Sequence, residues 1–488
     1  MSANIGANFN RFFPGLTVLP KMTAERTVAD GGSFRDPAAR VYVSGDGRVF
    51  RGLGKEAASY LETLLSEPFF KQWMETGKVV RTSPAPPERE REIVSQGWSR
   101  AFEHEAVPFV SYPYEWTFSM LKDAALLQLD LLAGAMSGGW TFKDATPYNI
   151  QWVGSRPVFI DTASIVPRER GEPWLAYRQF CMLFLYPLML KSHLGIDFNP
   201  ILRAELDGIT PPKAAAYFRG WKAFLPSVIL HVLFPAMAEN RIARAERDGA
   251  EAKKRVAKPR SEVVAAGLVD GVRRVVEGLK SPVRHSDWSH YSDTHSYEDD
   301  ELEKKTAFVR RHACRVRRKT VWDLGANTGV FSRVCSESAD LVVALDSDVD
   351  AVERLYLSPG GDNILPLVMN VANMSPGQGW AGKERKAFDM RGKPDLILGL
   401  ALIHHLRVSA GLPVPLFLDW ARSLECPMIV EFVGREDEMF VKMMANRKEK
   451  FEDYNQESFE KSLNERFKVS DSETLKGGKR KIYYVEPV

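Results

Sequence analysis

The residues with the clearest chemical content form a short glycine loop, Asp323-Leu-Gly-Ala-Asn-Thr-Gly329. Thr320 to Leu324 reads as a buried strand, and an amphipathic helix follows from Val330. Glycine permits the sharp turn and lets a ligand lie against the main chain. A dinucleotide fingerprint would read Gly-x-Gly-x-x-Gly, with a pyrophosphate at the helix N-terminus. Here Asp323 would repel a pyrophosphate, so the loop suits a cationic amino-acid group.

A second acid ends the next predicted strand, Leu341 to Asp346. Asp346 follows Gly325 by 21 residues. A carboxylate at this strand tip can accept hydrogen bonds from the hydroxyl groups of a ribose. The alternative is that Asp346 caps the next helix, although Asp348 could do so instead.

Two adjacent histidines, His404 and His405, follow another apolar run, Asp395 to Leu402. Imidazole titrates near neutrality, so one of them could accept a proton or orient a nucleophile. The sequence does not distinguish between the two, nor between catalysis and packing. Glu431 and Asp437 lie at and after a fifth predicted strand, where they could line an acceptor pocket or cap the following helix.

Together these residues resemble the class I S-adenosylmethionine-dependent methyltransferases. The resemblance rests on Asp323 to Gly329, Asp346 and Pro394 to Leu406, and it covers about residues 285 to 488. It implies that S-adenosylmethionine is the cofactor and that six positions surround it. Asp323 and Gly325 would face the methionine portion, Asp346 would face the ribose, and Asn370 or Val371 would face the adenine edge. Asn327 and Gly329 would complete the loop that contacts the cofactor. Many members carry Asp where Asn370 stands, and the amide oxygen of Asn370 can still meet the adenine amino group.

The implied reaction is an in-line transfer of a methyl group, which depends on orientation and on the exclusion of water. Methyltransferases that act on exocyclic base amines usually carry an Asn/Asp-Pro-Pro-aromatic motif after the fourth strand, and this chain lacks it. The net charge of only +3 also gives no sign of a nucleic-acid partner. We therefore expect a small polar metabolite as the acceptor. The catalytic candidates are His404, His405 and Glu431.

The first half of the chain holds a different constellation. Asp144 is followed five residues later by Asn149, and an apolar strand then ends at Asp161. This spacing resembles the catalytic loop of kinases and aminoglycoside phosphotransferases. The resemblance implies that Asp144 is the base, that Asn149 and Asp161 hold Mg²⁺, and that ATP binds.

The nucleotide clamp of a kinase is incomplete in this sequence. Val41 to Leu53 reads as a hairpin, but no lysine stands in a strand as it does in kinases. Arg51, Lys55 and Lys78 are only candidates for the cation that would contact the phosphates. Two alternatives therefore stay open. Asp144, Asn149 and Asp161 could be turn-forming residues of a relic fold, or the first half could be a recruiting module without catalysis.

Composition shifts divide the chain into residues 1–280, a kinase-like or substrate-recruiting domain, and residues 281–488, a methyltransferase domain. The fold class is α/β: strands alternate with helices after Thr320, which predicts a Rossmann-like sheet with helices on both faces. The first half should be an α+β domain. Gly477-Gly478 predicts a hairpin that ends in the antiparallel last strand of the family, and Trp288, Tyr291 and Tyr297 could cover the cofactor or join the core.

The overall composition is that of a globular protein, with 488 residues, 44% hydrophobic and 26% charged. Four widely spaced cysteines and the lack of a signal peptide favour a reducing cytoplasm. Two apolar runs, Cys181 to Leu190 and Phe224 to Met237, are shorter than the roughly 20 residues of a spanning helix and contain proline. We expect both to be buried helices and no membrane span.

A narrower resemblance combines both halves of the chain. It rests on Ser111 to Trp116, Lys143 to Asn149, Trp174 to Phe180 and His404-His405. These segments are similar to a group of bacterial methyltransferases with a long N-terminal extension, some of them associated with rhizobial nodulation.

Overall fold

The computed structural model describes residues 26–169, 171–247, 262–282 and 299–488. These residues form two compact units. The described residues of the first unit fall within 26–58 and 82–106, and those of the second fall within 59–81 and 107–488. Neither limit coincides with the division expected near residue 280, which stays a prediction. The aromatic residues Trp288, Tyr291 and Tyr297 lie outside the described residues.

The first unit contains an antiparallel sheet of five strands in the order β1-β2-β3-β5-β4. The strands are β1 (Thr27–Ala29), β2 (Ala39–Ser44), β3 (Val49–Leu53), β4 (Thr82–Pro84) and β5 (Arg100–His104). Helix α1 (Lys55–Ser66) follows β3, α2 (Pro68–Glu75) lies in the second unit, and α3 (Pro87–Val94) precedes β5. The hairpin expected over Val41 to Leu53 is present, because β2 and β3 pair in antiparallel register.

After α2, the second unit continues with a long buried helix, α4 (Phe118–Ser137), which Thr117 caps by accepting from the backbone N–H of Met120. Two small antiparallel pairs follow, β6 (Trp140–Phe142) with β9 (Ile165–Pro167) and β7 (Ile150–Val153) with β8 (Arg156–Phe159). The next helices are α5 (Tyr177–Phe180), α6 (Tyr186–Met189), α7 (Asn199–Ala204), α8 (Pro211–Tyr217), α9 (Pro226–Val228), α10 (Phe234–Arg247) and α11 (Glu262–Gly278). Turns of π-helix occupy Cys181–Leu185, Leu190–Leu194 and Ile229–Leu233.

The rest of the second unit is a sheet of seven strands with helices between them. The strands are β10 (Arg318–Leu324), β11 (Ala339–Asp346), β12 (Ile364–Val368), β13 (Leu396–Gly399), β14 (Met428–Val433), β15 (Phe467–Leu475) and β16 (Arg480–Pro487). The helices are α12 (Asp299–Ala313), α13 (Val330–Ser336), α14 (Val349–Leu357), α15 (Val414–Ser423), α16 (Glu438–Met444) and α17 (Gln456–Asn464).

The strand order of this sheet is β12-β11-β10-β13-β14-β16-β15. The strands from β12 to β14 are parallel, and β16 runs antiparallel to both of its neighbours. The antiparallel last strand and the hairpin at Gly477-Gly478 are thus as predicted. Because the chain leaves β10 toward β11 and returns to β13 on the other side, a crevice opens at the carboxyl ends of β10 and β13, where ligands bind in such sheets.

Burial explains why these segments form the centre of the sheet. Residues 321–324 of β10, 341–345 of β11 and the whole of β14 are buried, as expected of parallel strands covered on both faces. The core beneath them includes Phe308 of α12 and Val334 of α13. The sheet therefore rigidly supports the loops at its carboxyl edge.

The two apolar runs behave differently. Cys181 to Leu190 is buried throughout, and Pro187 stands in the first turn of α6. The expectation of burial was wrong for the second run, since Phe224 is 76% exposed and Phe234 is 57% exposed. Within the described residues, no helix combines the length and the apolar character that crossing a bilayer requires. Cys181, Cys314, Cys335 and Cys426 are all free thiols.

Candidate active site

The glycine loop between β10 and α13 is held by the neighbouring strand β11. The carbonyl oxygen of Leu345 accepts hydrogen bonds from the backbone N–H groups of Gly325 and Ala326, both at 2.8 Å. Gly325 and Gly329 both have φ of 79°, which favours glycine. At Gly329 a Cβ atom would also lie 2.3 Å from Cδ1 of Leu355, so α14 packs directly against the end of the loop.

Asp323 lies beneath this loop and is only 2% exposed. Its Oδ2 atom accepts a hydrogen bond of 2.5 Å from the hydroxyl group of Ser332 in α13. Burial raises the pKa of Asp323 to about 6, the bond from Ser332 opposes that rise, and the charge of Asp346 adds to it. The two carboxylates are therefore close enough to interact electrostatically, at the ends of adjacent strands.

Asp346 ends β11 and binds the backbone on both sides of the crevice. Its Oδ2 accepts from the N–H of Asn327 at 2.8 Å, and its Oδ1 accepts from the N–H of Asp348 at 2.9 Å. Burial raises the pKa of Asp346 in spite of these bonds. The capping role considered for Asp346 belongs to Asp348, which accepts from the N–H groups of Asp350 and Ala351 at the start of α14.

Asn327, at the centre of the loop, has a side-chain oxygen that is buried without a hydrogen-bond donor among the described residues. Its backbone is left-handed, with φ of 50°. A buried acceptor without a donor is costly, which marks a place where a ligand N–H or O–H would be favourable. The loop thus presents Asp323, Asp346 and the Asn327 oxygen, all hydrogen-bond acceptors, to one crevice. This donor-poor set fits a ligand with an ammonium group and vicinal hydroxyls.

Asn370 follows β12 at the same edge of the sheet. It is exposed, and its side-chain oxygen accepts from the N–H of Ala372 at 2.8 Å, which starts a short 3₁₀ turn over Val371–Asn373. The assigned contact with adenine would have to share this oxygen with Ala372.

The histidine pair lies on the loop after β13, across the crevice from the glycine loop. The two loops adjoin at Leu402, because a Cβ atom at Gly325 would lie 3.4 Å from the Cδ1 atom of Leu402. The rings of His404 and His405 are 4.1 Å apart. His404 is 2% exposed and its Nδ1 atom has no partner among the described residues, whereas His405 keeps part of its surface exposed.

Burial favours the neutral form of both histidines. Burial, reinforced by His405, places the pKa of His404 well below its ordinary value, and burial lowers the pKa of His405 as well. A neutral imidazole can accept a proton, which is the chemical requirement for a base. A turn of π-helix begins at His405, and such turns are frequent at functional sites.

Glu431 occupies a different environment from the one predicted for it. It is fully buried in β14, and its Oε2 accepts from the ammonium group of Lys305 at 2.5 Å and from the N–H of Ala401 at 2.8 Å. Its Oε1 lies 3.5 Å from an Nη atom of Arg480. Burial opposes ionisation of Glu431, but Lys305 and Arg480 outweigh it and hold its pKa below the ordinary value.

The bond from Ala401 gives Glu431 an indirect connection to the histidines. Ala401 has φ of 49°, a conformation that costs a residue with a side chain roughly 1–2 kcal/mol. By accepting from the Ala401 N–H, Glu431 stabilises this turn three residues before His404. Lys305 and Arg480 were not foreseen as part of the site. In α12 the spacing of Lys305 with Phe308, Val309 and His312, all on the buried face, was the available signal.

Asp437 is a structural residue rather than part of a pocket wall. It caps α16 through the N–H of Met439 and accepts two bonds from Arg480, at 2.7 and 3.0 Å. Burial opposes its charge, but Arg480 lowers the pKa of Asp437 to about 2. Of the two roles considered for Asp437, the cap is the one observed.

Residues from the first half of the chain fix the segment that follows Asn370. Arg391 donates to both carboxylate oxygens of Glu115, at 2.6 and 2.8 Å, and both side chains are at most 1% exposed. Its guanidinium also lies over the ring of Tyr112 at 4.7 Å. Arg203 donates to the backbone of Met374 at 3.0 Å. Residues 371–391 are thus anchored to elements outside the sheet.

The kinase-like residues flank three short strands of the second unit. Asp144 follows β6, Asn149 directly precedes β7, and Asp161 follows β8; the carbonyl of Asn149 accepts from the N–H of Ile160 at 2.8 Å. Among the described residues, no group of three His, Cys, Asp or Glu side chains is arranged to hold a metal ion. The kinase-like assignment and the ATP and Mg²⁺ that it implies stay predictions.

Comparison with known proteins yields one extensive relative. No protein-family model matches the chain. The nodulation protein NoeA of Rhizobium meliloti (strain 1021) is 32% identical over 461 residues, which covers 93% of this chain and 95% of that protein.

Solved structures are similar to a smaller part of the chain. The N-methyltransferase NodS from Bradyrhizobium japonicum WM9 is 9% identical and covers 39% of this chain and 98% of its own, with a TM-score of 0.29. A SAM-dependent methyltransferase from Aquifex aeolicus is 15% identical and covers 42% of this chain and 100% of its own, with a TM-score of 0.30. The assignment of the fold depends on the strand order and not on these two likenesses.

The seven-stranded sheet and the loops at its carboxyl edge define an α/β protein with a methyltransferase-like, Rossmann-type sheet. The chain belongs to the family of the nodulation protein NoeA.

Proposed function

We propose that the chain transfers a methyl group from S-adenosylmethionine to a small polar acceptor. The observation that carries the proposal is the proximity of two desolvated carboxylates, Asp323 and Asp346, to each other and to Asn327, whose side-chain oxygen is unpaired among the described residues. Neither carboxylate forms an ion pair with a Lys, Arg or His of the described chain. When bound, the cofactor would supply a methyl group on a positively charged sulfur.

Each acceptor group has a partner on such a cofactor. Asp323 and the Asn327 oxygen suit the ammonium group of its methionine part, and Asp346 retains lone pairs for ribose hydroxyls beyond its two backbone bonds. Gly325 leaves the space that a Cβ would fill beside Leu402. We assign Gly329 to the packing of the loop against α14, and Asn370 to the adenine edge.

We propose His405 as the residue that meets the acceptor, because it keeps part of its surface exposed while His404 is buried. A neutral His405 can take the proton that a hydroxyl or amine nucleophile loses. We assign His404 and Glu431 to positioning: the ring of His404 packs against that of His405 at an angle of 42°, and Glu431 holds the turn at Ala401. Glu431 would then act without touching the acceptor.

Titration calorimetry of the full chain with S-adenosylhomocysteine tests the cofactor site. We expect binding, and we expect it to be lost or greatly weakened in Asp346→Asn. Absence of binding by the parent chain would refute the proposal. The acceptor can be sought by incubating the chain with S-adenosylmethionine carrying a labelled methyl group and a bacterial lysate, followed by identification of the labelled molecule.

The same labelling assay distinguishes the histidines. His405→Gln should lower the rate of transfer by about 100-fold, the typical contribution of one acid–base residue, with binding of S-adenosylhomocysteine unchanged. His404→Gln should lower it less. If His404→Gln has the larger effect at unchanged binding, the roles are reversed.

A second candidate function concerns Asp144, Asn149 and Asp161. It is favoured by their juxtaposition beside the pairs β6/β9 and β7/β8 and by the buried side-chain nitrogen of Asn149, which has no acceptor among the described residues. If this site binds a nucleotide, ATP with Mg²⁺ should raise the melting temperature of the full chain, and Asp161→Ala should abolish the rise. A melting temperature that ignores ATP would favour a recruiting module.

A further inference from the structure

The segment from Gly220 to Arg247 carries an unusual concentration of exposed apolar side chains. Trp221 is 71% exposed, Phe224 76%, Leu230 55% and Phe234 57%. Met237 and Ile242 follow at 51% and 53%. We call this set, together with the neighbouring Arg219, Lys222, Arg241 and Arg244, the aromatic-basic face. Single exposed apolar residues are ordinary, but a contiguous group on one segment marks a contact surface.

Helical geometry puts part of this set on one side. Leu230, Phe234, Met237 and Arg241 are spaced by four, three and four residues, so they share a face of the helix formed by the π-turn Ile229–Leu233 and α10. The opposite side holds Val228, His231, Val232 and Ala236, which are buried. The outer face of this helix is therefore apolar, whereas the outer face of a surface helix is normally polar.

The inner side is firmly attached to the rest of the unit, so the outer face is not a product of fraying. The hydroxyl group of Tyr186 donates to the carbonyl of His231 at 2.7 Å, and the hydroxyl of Tyr177 lies 2.6 Å from its Nδ1. Arg178 forms an ion pair with Glu239 at 2.6 Å. Ordered backbone thus presents the exposed side chains.

Charge identifies the kind of partner. Residues 217–247 contain five Lys or Arg and two Glu, an excess equal to the net charge of +3 of the whole chain. The ammonium group of Lys222 lies 5.8 Å from the centre of the Trp221 ring, next to the exposed aromatic pair. Apolar and aromatic side chains flanked by cations are the pattern of segments that lie in the headgroup region of anionic bilayers. A second copy would oppose like charges across a twofold contact.

We propose that the aromatic-basic face docks the protein on the surface of an anionic lipid bilayer. Trp221, Phe224, Leu230 and Phe234 would enter the boundary between headgroups and acyl chains, while Arg219, Lys222, Arg241 and Arg244 would contact lipid phosphates. This binding is independent of the proposed methyl transfer and would bring the catalytic unit to amphiphilic molecules in the bilayer.

Co-sedimentation of the full chain with vesicles tests the proposal. We expect binding to vesicles of phosphatidylcholine with phosphatidylglycerol, weaker binding to phosphatidylcholine alone, and reduced binding at high salt. Trp221→Ser with Phe224→Ser should weaken binding at least tenfold. Arg241→Gln with Arg244→Gln should weaken binding to anionic vesicles only. The matched control is Trp380→Ser, which alters a tryptophan that is 74% exposed outside the face and should bind like the parent.

Circular dichroism melting verifies that the variants are folded. We expect them to fold because the replaced side chains are exposed. The proposal is overturned if the parent chain does not sediment with anionic vesicles, or if the Trp221/Phe224 variant sediments as well as the parent does. Light scattering tests the other possible occupant, a second copy of the chain. If the parent chain is a dimer and this variant is a monomer, the face is a contact between copies and the proposal is overturned.

Discussion

Two pairs of acids at the same edge of the sheet have pKa values that are shifted in opposite directions. Asp323 and Asp346 end the central parallel strands, and burial raises the pKa of both. Glu431 and Asp437, on and after β14, are at least as inaccessible, yet their pKa values are lowered because Lys305 and Arg480 adjoin them. The difference is the presence of a cation and not the depth of burial.

This contrast distinguishes acids that are available to a ligand from acids that stabilise the fold. Acids whose charge the protein itself neutralises contribute to the fold, and removing their partner is costly. Acids that are desolvated without a bonded cation remain available to a cation from outside. By this criterion we propose a ligand site at Asp323 and Asp346, whereas Glu431 and Asp437 bond to cations of the chain itself. Three experiments can break or sharpen the distinction.

The largest effect is expected from Arg480→Met, which removes the shared partner of Glu431 and Asp437. Glu431 keeps Lys305 and Asp437 keeps Lys476, but both acids lose a fully buried cation, which should lower the free energy of unfolding by about 3–5 kcal/mol. Denaturant unfolding of the full chain measures it. Lys393→Met is the control, because it breaks an exposed ion pair with Glu425 and should leave the unfolding midpoint unchanged. A midpoint for Arg480→Met equal to that of the parent would remove the scaffold role.

Asp346→Asn should have an intermediate effect, and on binding rather than on stability. We expect the affinity for S-adenosylhomocysteine to fall by about 10- to 100-fold, or about 1.4–2.8 kcal/mol, because the amide offers one acceptor oxygen in place of two. The unfolding free energy should change by no more than about 1 kcal/mol, since the loss of one of the backbone bonds from Asn327 and Asp348 offsets the removal of a desolvated charge. Asp348→Asn changes a nearby acid that caps α14, and Asn is an equally good cap, so titration calorimetry should show parental affinity.

The pH dependence due to Asp323 should be smaller. Its pKa in the folded state, about 6, lies above the ordinary value, so the proton favours folding. Its stabilising contribution is complete at low pH and is lost as the pH rises through about 6. Binding of a ligand ammonium requires the ionised form and should weaken by about tenfold from pH 7 to pH 5. Opposite slopes for stability and affinity are the expected result.

Asp323→Asn provides the comparison for both slopes. In this variant the affinity for S-adenosylhomocysteine should be lower at pH 7 and nearly constant between pH 5 and 7. If the parent chain also shows a flat affinity over this interval, Asp323 does not meet the ammonium group, and the ligand site would have to depend on Asp346 and Asn327 alone.

The sheet and the first two acids were accessible to sequence reasoning because their signals are local. A buried strand, a glycine turn and a helix follow one another from Thr320 to Ser336, and an acid at a strand end has few possible positions. The sequence left both Asp346 and Asp348 as candidates for the cap of α14, and the structure shows that Asp348 fills this role. Strand alternation then predicted a parallel sheet that ends in an antiparallel hairpin.

What the sequence did not reveal depends on contacts between distant residues. Lys305 stands in the charged run Asp299 to Lys305, which reads as solvated, and its partner Glu431 is 126 residues away. The pair Glu115 and Arg391 is separated by 276 residues. The exposure of Phe224 to Met237 was misjudged for a related reason: apolar content predicts burial only where another element covers the helix.

Helix α14 has a consequence for attempts to transplant the catalytic part. Its Leu355 supports the glycine loop, while Glu353 accepts from the hydroxyl group of Ser119 at 2.5 Å and Tyr356 donates to Asp123 at 2.6 Å, both in α4. A truncated chain that starts at α12 would leave Glu353 and Tyr356 without these partners, on the helix that packs against Gly329. A graft onto another protein would therefore have to carry α4 along.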